Sequence, residues 1–357
     1  MIKFIVKLLK SRSSYGGEEK RFLILSTTGL GDTLWGTPAI RSLRKCFPTG
    51  YIGVLTSPIG KECLEHNPSI DESFVIKEPL FRSLFPLYRQ LKKRKITHIL
   101  SFHTSQRLIL PLAAILGAQV VVGTRGINKG LDFLLTHPLD NEKKHEIQRR
   151  LDLITHVGGF AHGSSMEIFL SEEDKKIAAH FLAGLHLPAN NPLIALHPGA
   201  KDGFKQWPPS HFVQLGNRLI QNLGCHLIVT GVPSEKPLVE SIVSQLDGAT
   251  AATHLPLRAT AALIKEVDLM ITNDTGPMHL SLGVQTPTIG LFTPTDPRLC
   301  GPYGVENALP IAKKTTCSPC LGKKCREPFC LLQIGVQEVY DAALRIFYQY
   351  KGRAPSL

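Results

Sequence analysis

The sequence lacks long hydrophobic runs. No apolar stretch reaches the about 18 residues that a membrane-spanning helix needs. The first residues also lack the hydrophobic segment and small-residue cleavage site of a secretory signal peptide. These two absences predict a cytoplasmic protein. Residues 1–10, MIKFIVKLLK, mix apolar residues with lysines and could form a short helix on an acidic membrane surface, although a frayed or docked terminus accounts for them equally well.

Acidic residues are also in short supply. The chain has 29 Asp and Glu against 41 Lys and Arg, which gives a net charge of +12 at pH 7. Such a balance indicates an anionic partner: nucleic acid, an acidic membrane surface or a phosphorylated substrate. Zinc-finger, homeodomain and aromatic–basic RNA-binding patterns are all missing and the basic residues are dispersed, so nucleic acid is the least favoured of the three.

Short apolar runs alternate with stretches of helical periodicity along the 357 residues. This length is sufficient for two domains, each with its own core. The regular alternation of strands and helices predicts α/β domains with parallel, doubly wound sheets. We place the linker between the two domains at about residues 158–171.

The stretch VDLMITNDTGPMHLSLGVQTPTIGLFTPTDP, residues 267–297, has the pattern of half a nucleotide-binding unit. We predict a strand, a turn, a helix and a second strand, at residues 267–272, 273–276, 277–283 and 288–292. Pro277 suits the first turn of the helix, because its missing N–H would be unpaired there. The helix start therefore points at the carboxyl end of the first strand.

That helix start predicts a site for an anion such as a diphosphate. Backbone amides and the helix dipole both favour negative charge there, and the candidate amides are those of Gly276, Met278 and His279. The side chains of Asp274, Thr275 and His279 lie around the same mouth. A capped helix with a histidine facing the core is the alternative.

A second candidate site follows the strand of residues 21–26. The turn T-T-G-L-G-D brings Gly29 and Gly31, which allow another molecule to come close, and ends in Asp32 at the start of a helix. The third glycine of a dinucleotide-binding G-x-G-x-x-G is missing, so that signal is weak. Asp32 is available either as a general base or as a plain helix cap.

Three more strand ends carry polar groups. After the strand of residues 193–197, Gly199 with Lys201 and Lys205 offers amides and cations to a diphosphate. After the next strand, Gly231 and Glu235 offer backbone groups to a base and a carboxylate to ribose hydroxyls. Arg125 follows a strand of the first half, where a ligand contact and a solvated loop residue are both compatible with the pattern.

An ordered set of motifs along the chain resembles a known family. The motifs are STTGLGDTLWGTPAIRSLR, HPGA with KQWP, NDTGPMHL, TPTIGLFTPTDP and GPYG, in that order over roughly residues 21–345. They are similar to those of the ADP-heptose:lipopolysaccharide heptosyltransferases, glycosyltransferase family 9. Each motif alone is modest, whereas the ordered set is specific.

The resemblance implies a GT-B fold, in which two Rossmann-like doubly wound parallel-sheet domains face a central cleft. Residues 1–165 would bind the acceptor, residues 166–335 would bind the ADP-sugar, and a helix within 336–357 would cross back to the first domain. It also implies inverting transfer of heptose from ADP-heptose to the lipopolysaccharide core, with no cofactor or catalytic metal required. The acceptor would be a phosphorylated glycolipid, and the protein would be peripheral on the cytoplasmic face of the anionic inner membrane.

The resemblance assigns roles to individual residues. Asp32 matches the general base, and Lys205 matches the lysine that offsets charge on the departing diphosphate. Glu235 is a looser match to a ribose-binding acid. Residues that match the donor-binding motif are Asp274, Thr275, Gly276 and His279. Candidates for acceptor contacts are Gly29, Gly31, Arg125 and the basic residues 91–95.

Four of the eight cysteines fall within 14 residues, at Cys317, Cys320, Cys325 and Cys330. Four thiolates could hold a structural zinc or iron ion, as the resemblance to iron-containing relatives also implies. Reduced, packed thiols are the alternative that we favour. The cluster also keeps open a glycosyltransferase that acts on a protein serine. A non-catalytic nucleotide-sugar-binding module is a third reading, against which the joint presence of Asp32 and Lys205 argues.

Overall fold

The computed structural model describes residues 19–188, 191–326 and 329–350, with only the backbone at positions 80 and 81. The amphipathic residues 1–10 lie outside the described residues. The chain divides into two compact units, residues 1–169 and residues 170–357. The predicted domain limits at 165/166 and 335/336 and the return of the last helix to the first domain stay predictions.

The first unit contains a six-stranded sheet in which every strand pair is parallel. Its strands are β1 Arg21–Ser26, β2 Tyr51–Thr56, β3 Glu72–Val75, β4 His98–His103, β5 Val120–Thr124 and β6 His137–Leu139. Its helices are α1 Leu30–Leu34, α2 Thr37–Cys46, α3 Pro58–Leu64, α4 Leu80–Lys92, α5 Ile109–Ala114 and α6 Glu146–His156, with a 3₁₀ turn at Asp132–Leu134.

The second unit has the same kind of sheet, again entirely parallel. Its strands are β7 Leu193–His197, β8 His226–Thr230, β9 Ala249–Ala252, β10 Leu269–Asn273, β11 Thr288–Phe292 and β12 Ala308–Ala312. Its helices are α7 Glu172–Ala183, α8 Pro209–Leu223, α9 Lys236–Val243, α10 Leu257–Lys265, α11 Gly276–Gly283, α12 Pro297–Cys300, α13 Phe329–Leu332 and α14 Val336–Tyr350. Short 3₁₀ turns lie at Gly203–Lys205, Pro233–Glu235 and Gly322–Lys324.

The strand order confirms the predicted α/β fold class of two doubly wound parallel sheets. The orders are β3-β2-β1-β4-β5-β6 and β12-β11-β10-β7-β8-β9, and each is the Rossmann order when its strands are counted from the first. The direction of winding reverses between β1 and β4 in one sheet and between β7 and β10 in the other. Ligands bind at the carboxyl ends of such neighbouring strands, so each unit has one preferred edge for a site.

Central strands form because their side chains are apolar on both faces. In β1, residues 22–25 are fully buried, and all five residues of β10 and β11 are buried. Helices cover both faces of a parallel sheet, so both faces of its central strands are buried and their sequences are continuous hydrophobic runs. The edge strands β6 and β12, which we did not predict, are less buried and carry Pro138 and Pro310, so their sequences lack the strand pattern.

Two helix predictions were wrong in their limits. The sequence predicts one helix from the Asp32 turn to about Cys46. The helix is instead interrupted before Thr37, and a Cβ at Gly36 would lie 3.1 Å from the ring of Phe102. Because Phe102 of β4 lies so close to the interruption, a residue without a side chain is favoured at position 36. The sequence also predicts a helix over residues 84–94 with Pro86 in its first turn, but α4 begins at Leu80, so Pro86 lies inside the helix.

The last helix packs within the second unit. α14 lies against α8 and against strands β10, β11 and β12. Just before it, the carbonyl of Ile334 accepts a hydrogen bond of 2.9 Å from the indole of the fully buried Trp207. This bond fixes the chain that follows β7 to the start of α14. None of the helices in the described part of the chain has the length and apolar character to cross a membrane.

Candidate functional site

In the first unit, the end of β1 positions Asp32. The turn after β1 is held by Thr27, whose hydroxyl accepts a 2.8 Å hydrogen bond from the amide of Ser105 in the turn after β4. Asp32 then lies in the first turn of α1, with its side chain 29% exposed. The carboxylate therefore stands at the switch point of the first sheet and remains accessible to a ligand.

A buried arginine stands behind this carboxylate. Arg150 of α6 is fully buried, and its Nη2 lies 3.5 Å from Oδ1 of Asp32. Its Nη1 donates to the carbonyl and the carboxylate of Glu146, both at 2.8 Å, and its guanidinium lies over the ring of Trp35. Among the described residues, Nε and Nη2 of Arg150 make no hydrogen bond. The ion pair with Asp32 is thus the main polar interaction on that side of the guanidinium.

Gly29, Gly31 and Arg125 were also predicted for the acceptor and lie at the same edge but differ in setting. The basic residues 91–95 precede β4 and lie at the opposite edge, where the carbonyl of Arg94 accepts from Arg21 and the guanidinium of Arg94 pairs with Glu72. A Cβ at Gly29 would meet no described atom within 4 Å, so the space beside this residue is open. The carbonyls of Gly29 and Gly31 accept hydrogen bonds within α1. Arg125 follows β5, is more than half exposed, and lies 3.6 Å from Asp140.

In the second unit, Asn273 joins the two strands at the switch point. Its side-chain NH₂ group donates to the backbone carbonyls of Pro198 and Gly199, at 2.9 and 3.2 Å. Its side-chain oxygen, Oδ1, accepts from the backbone amide of Trp207 at 3.0 Å. All three partners belong to the loop after β7. Asn273 itself is the last residue of β10, so it fixes this loop against the neighbouring strand end.

The next residue, Asp274, forms an ion pair with Lys205. The distance from Lys205 Nζ to Asp274 Oδ2 is 2.6 Å, and the hydroxyl of Thr295 donates to the same oxygen at 2.5 Å. The side chain of Asp274 is only 6% exposed, whereas that of Lys205 is 21% exposed. The structure therefore brings together two predicted site residues from different motifs, and the lysine is the more exposed partner of the pair.

Glu235 lies against the glycine of the β7 loop. A Cβ at Gly199 would collide with the carboxylate of Glu235, and a Cβ at Gly231 would lie 2.8 Å from Val239. The amide of Val232 donates to Glu235 Oε2 at 2.9 Å. Only glycine at position 199 leaves room for this carboxylate.

His197, at the end of β7, completes this corner of the site. Its Nδ1 lies 3.1 Å from the hydroxyl of Thr230, and its Nε2 lies 4.0 Å from Glu235. Burial lowers the pKa of His197, and the nearby charge of Glu235 opposes this effect without reversing it. The imidazole is therefore neutral at pH 7.

Helix α11 begins at Gly276, one residue before the predicted start, with Thr275 as N-cap and with Pro277 in the first turn as predicted. Met278 does not fit the predicted role of an open amide, because its N–H donates to the carbonyl of Thr275 at 3.1 Å. Its side chain is buried over Gly290, where a Cβ would lie 2.6 Å from the sulfur. His279 is also buried, while Gly276 is half-buried at the helix start.

The cysteine segment lies beside the loop that carries Lys205. The turn Gly322–Lys324 contacts the turn Gly203–Lys205, and Lys323 lies 3.7 Å from Asp202. Lys201, at the start of the same loop, is exposed.

Cys317, Cys320, Cys325 and Cys330 are free thiols, and burial raises the pKa of Cys330. Across the residues that the structure describes, no three His, Cys, Asp or Glu side chains are arranged to hold a metal ion. This geometry does not fit a structural zinc or iron site.

Comparison with known proteins identifies the family of this fold and site. The model of glycosyltransferase family 9 (heptosyltransferase) matches residues 86–330, more than half of the chain. The chain belongs to glycosyltransferase family 9. The match begins after Asp32, so the position of that carboxylate in this family 9 protein is given by the geometry of β1 and α1.

Individual members of the family are distant in sequence. Lipopolysaccharide heptosyltransferase 1 of Escherichia coli K12 is 23% identical over 296 residues, covering 80% of this chain and 91% of its own length. The crystal structure of the glycosyl transferase family 9 from Veillonella parvula DSM 2008 is 23% identical, with a TM-score of 0.84 over 94% of this chain and all of its own.

A structure of E. coli heptosyltransferase WaaC with ADP is 18% identical, with a TM-score of 0.69 over 91% of this chain and 99% of its own. The two-domain α/β fold of this family 9 chain thus matches that of GT-B heptosyltransferase structures.

Three residues of the two sites escaped prediction: Arg150, Asn273 and Thr295. Arg150 had a detectable signal, because it occupies the apolar face of α6 with Ile147, Leu151 and Ile154, where an arginine needs a partner. Asn273 and Thr295 lie within motifs that we had recognised. Their bonds to the β7 loop and to Asp274 depend on the pairing of strands, which the local sequence does not reveal.

Proposed function

We propose that this protein transfers L-glycero-D-manno-heptose from ADP-heptose to the inner core of lipopolysaccharide, onto Kdo or an existing heptose, with inversion at the anomeric carbon. The observation that carries the proposal is the presence of one ion pair at each switch point. An accessible carboxylate, Asp32, stands in one unit and a partly exposed cation, Lys205, in the other. Membership of the heptosyltransferase family supports the same assignment.

Asp32 would be the general base. It accepts the proton of the acceptor hydroxyl while that oxygen attacks the anomeric carbon of the donor. Arg150 would be a positioning residue, because an ion pair with a buried guanidinium restricts the carboxylate to one side of the turn. A single displacement of this kind inverts the configuration at the anomeric carbon.

Lys205 would stabilise the leaving group. As the bond between the anomeric carbon and the ADP oxygen breaks, negative charge accumulates on the diphosphate, and a preorganised cation there lowers the barrier. The transfer needs no metal in this proposal, since Lys205 supplies the positive charge. When the diphosphate binds, it competes with Asp274 for Lys205, and Asp274 becomes free to accept hydrogen bonds from sugar hydroxyls.

We assign the remaining donor contacts to residues at the carboxyl ends of the strands of the second unit. The start of α11, with Gly276, would hold a phosphate through amides and the helix dipole. Glu235 would accept hydrogen bonds from ribose hydroxyls, and Gly199 and Gly231 would allow the nucleotide to approach the backbone.

On the acceptor side, Arg125 would contact a phosphate of the glycolipid. Such an acceptor is held in a bilayer, so we propose a cytoplasmic enzyme that is peripheral on the anionic inner membrane.

Transfer to a panel of truncated cores tests the proposal. The protein is incubated with ADP-heptose and with lipopolysaccharide cores that end at Kdo, at the first heptose or at the second, and the products are identified by mass. We expect one core to gain a single heptose, and NMR of that product should show the anomeric configuration opposite to that in the donor. If ADP binds but no core is modified, lipopolysaccharide is not the acceptor, and a serine-containing protein would be tested next.

A further inference from the structure

Three large hydrophobic side chains are exposed at the carboxyl edge of the first sheet. Phe85 is 66% exposed, Leu108 is 43% exposed and Phe133 is 45% exposed. They belong to the segments that follow β3, β4 and β5: helix α4, the residue before α5, and the turn Asp132–Leu134. This is the edge at which Asp32 stands.

Side-chain hydrogen bonds join the three segments. The amide of Gln106 donates to Glu78, which precedes α4, and Nζ of Lys129 donates to the carbonyl of Ser105 at 2.7 Å. Helix α5 packs against both α4 and the turn Asp132–Leu134. The exposed side chains therefore belong to one continuous surface, which we call the strand-end surface.

The strand-end surface is also basic. Its exposed cationic residues are Arg82, Arg89, Arg107, Arg125 and Lys129. The acidic groups of the same segments are engaged: Glu78 accepts from Gln106, and Asp132 accepts from the amides of Gly126 and Asn128 at 2.8 Å. Glu78 is nevertheless exposed, and Asp140, near Arg125, adds a second exposed negative charge, so the five cations outnumber the three carboxylates Glu78, Asp132 and Asp140. Exposed apolar groups surrounded by cations match the interface of an anionic bilayer, where rings enter the headgroup region and cations meet phosphates.

We propose that the strand-end surface docks on an anionic lipid bilayer and thereby presents membrane-held glycolipid to Asp32. This deepens the membrane contact of the proposed function and rests on it for the identity of the acceptor. A second copy of the chain is a poorer occupant, because a symmetric contact would bring the same cations together.

Co-sedimentation of the full chain with vesicles tests the docking without donor or acceptor. Vesicles of phosphatidylglycerol and phosphatidylethanolamine are compared with vesicles of phosphatidylcholine. The test variant combines Phe85→Ser with Arg89→Gln, adjacent residues on α4 whose side chains are in cation–π contact. The control combines Tyr348→Ser with Arg345→Gln, an exposed aromatic and arginine pair on α14.

We expect the anionic vesicles to bind the native chain and the control alike, and the test variant roughly 10-fold more weakly. A second variant, Leu108→Ser with Arg107→Gln, should weaken binding in the same direction, so the result does not depend on the stability of α4. Circular dichroism melts verify folding, and ADP binding reports the donor site separately.

Three outcomes would overturn the docking. Equal binding of test and control variants is the first, and equal binding to neutral vesicles is the second. The third is a loss of binding on deletion of residues 1–10 with none in either surface variant, which would assign the contact to the N-terminal segment. Any of these leaves the proposed heptosyl transfer intact, since that is measured with soluble truncated cores.

Discussion

The two units share a strand order but bury opposite partners of their ion pairs. In the first unit the cation, Arg150, is fully buried and the carboxylate of Asp32 faces outward. In the second unit the carboxylate of Asp274 is buried and the cation, Lys205, is the more exposed partner. Both ion pairs lie at the carboxyl edge of a sheet with the same strand order. The charge that is accessible to a ligand is thus a carboxylate in the first unit and an ammonium in the second.

This inversion assigns a chemical task to each unit. In the unliganded pair, the buried charge fixes the position of the more accessible group that pairs with it. The outward carboxylate suits proton removal from a hydroxyl, and the accessible ammonium suits an anionic leaving group.

Removal of the accessible cation should have the largest effect among the donor-side changes. We expect Lys205→Ala to reduce kcat by roughly 10²–10³-fold, as for the loss of other groups that stabilise developing charge. Lys236→Ala, an exposed lysine of the same unit that pairs with Glu240, is the control and should keep native activity. The rate is measured in single turnovers with saturating donor, and a loss confined to KM would contradict the role in leaving-group departure.

Removal of the buried cation should act through Asp32. We expect Arg150→Met to lower kcat roughly 10- to 100-fold because a carboxylate displaced by about 1 Å is a poor base. The affinity for ADP, which we propose binds the second unit, should not change. Arg150→Lys keeps the charge and should recover part of the rate. If Arg150→Met instead weakens ADP binding or only lowers the melting temperature, Arg150 does not position the base.

Two glycines of the loop after β7, Gly199 and Gly203, test whether Glu235 contacts the nucleotide. Gly199→Ala forces the carboxylate of Glu235 to move, whereas a Cβ at Gly203 meets no described atom within 4 Å. We expect Gly199→Ala to raise the Kd for ADP roughly 3- to 10-fold through the loss of one well-placed hydrogen bond. Gly203→Ala should leave it unchanged. Calorimetric titration with ADP measures both, and equal affinities would remove Glu235 from the nucleotide site.

The smallest expected effect is on how the free energy of unfolding depends on pH, through His98 of the first unit. Burial, and then the charges of Lys20 and His137, lower the pKa of His98 to about 4. An unfolded histidine titrates near 6.5, so between these values the unfolded chain binds more protons and stability falls as the pH falls.

We expect the loss between pH 7 and pH 5 to include roughly 1–2 kcal/mol from His98 after allowance for solvent screening. His98→Gln should remove that share. Urea unfolding at the two pH values measures the difference, and an unchanged pH dependence would show that His98 is not the titrating group.

Much of the fold followed from local sequence, because buried parallel strands carry continuous apolar runs and Gly or Pro residues separate them from helices. Edge strands such as β6 and β12 were missed, since they are only partly buried and contain proline. Asp274 was proposed because it follows β10 directly, whereas Asp32 and Lys205 were proposed from the glycine turns after β1 and β7 and from the family resemblance. Arg150 was missed as the partner of Asp32, because 118 positions separate the two residues and only the packing of α6 brings them together.

The central claim is that the accessible carboxylate of the first unit activates the acceptor while the second unit holds the donor. The most direct test is Asp32→Asn, which keeps the size of the side chain and removes the base. We predict that the Kd for ADP stays native and that single-turnover transfer to the accepted core falls by at least about 10²-fold. Transfer at a near-native rate by Asp32→Asn would contradict the claim, because the proton would then have another acceptor.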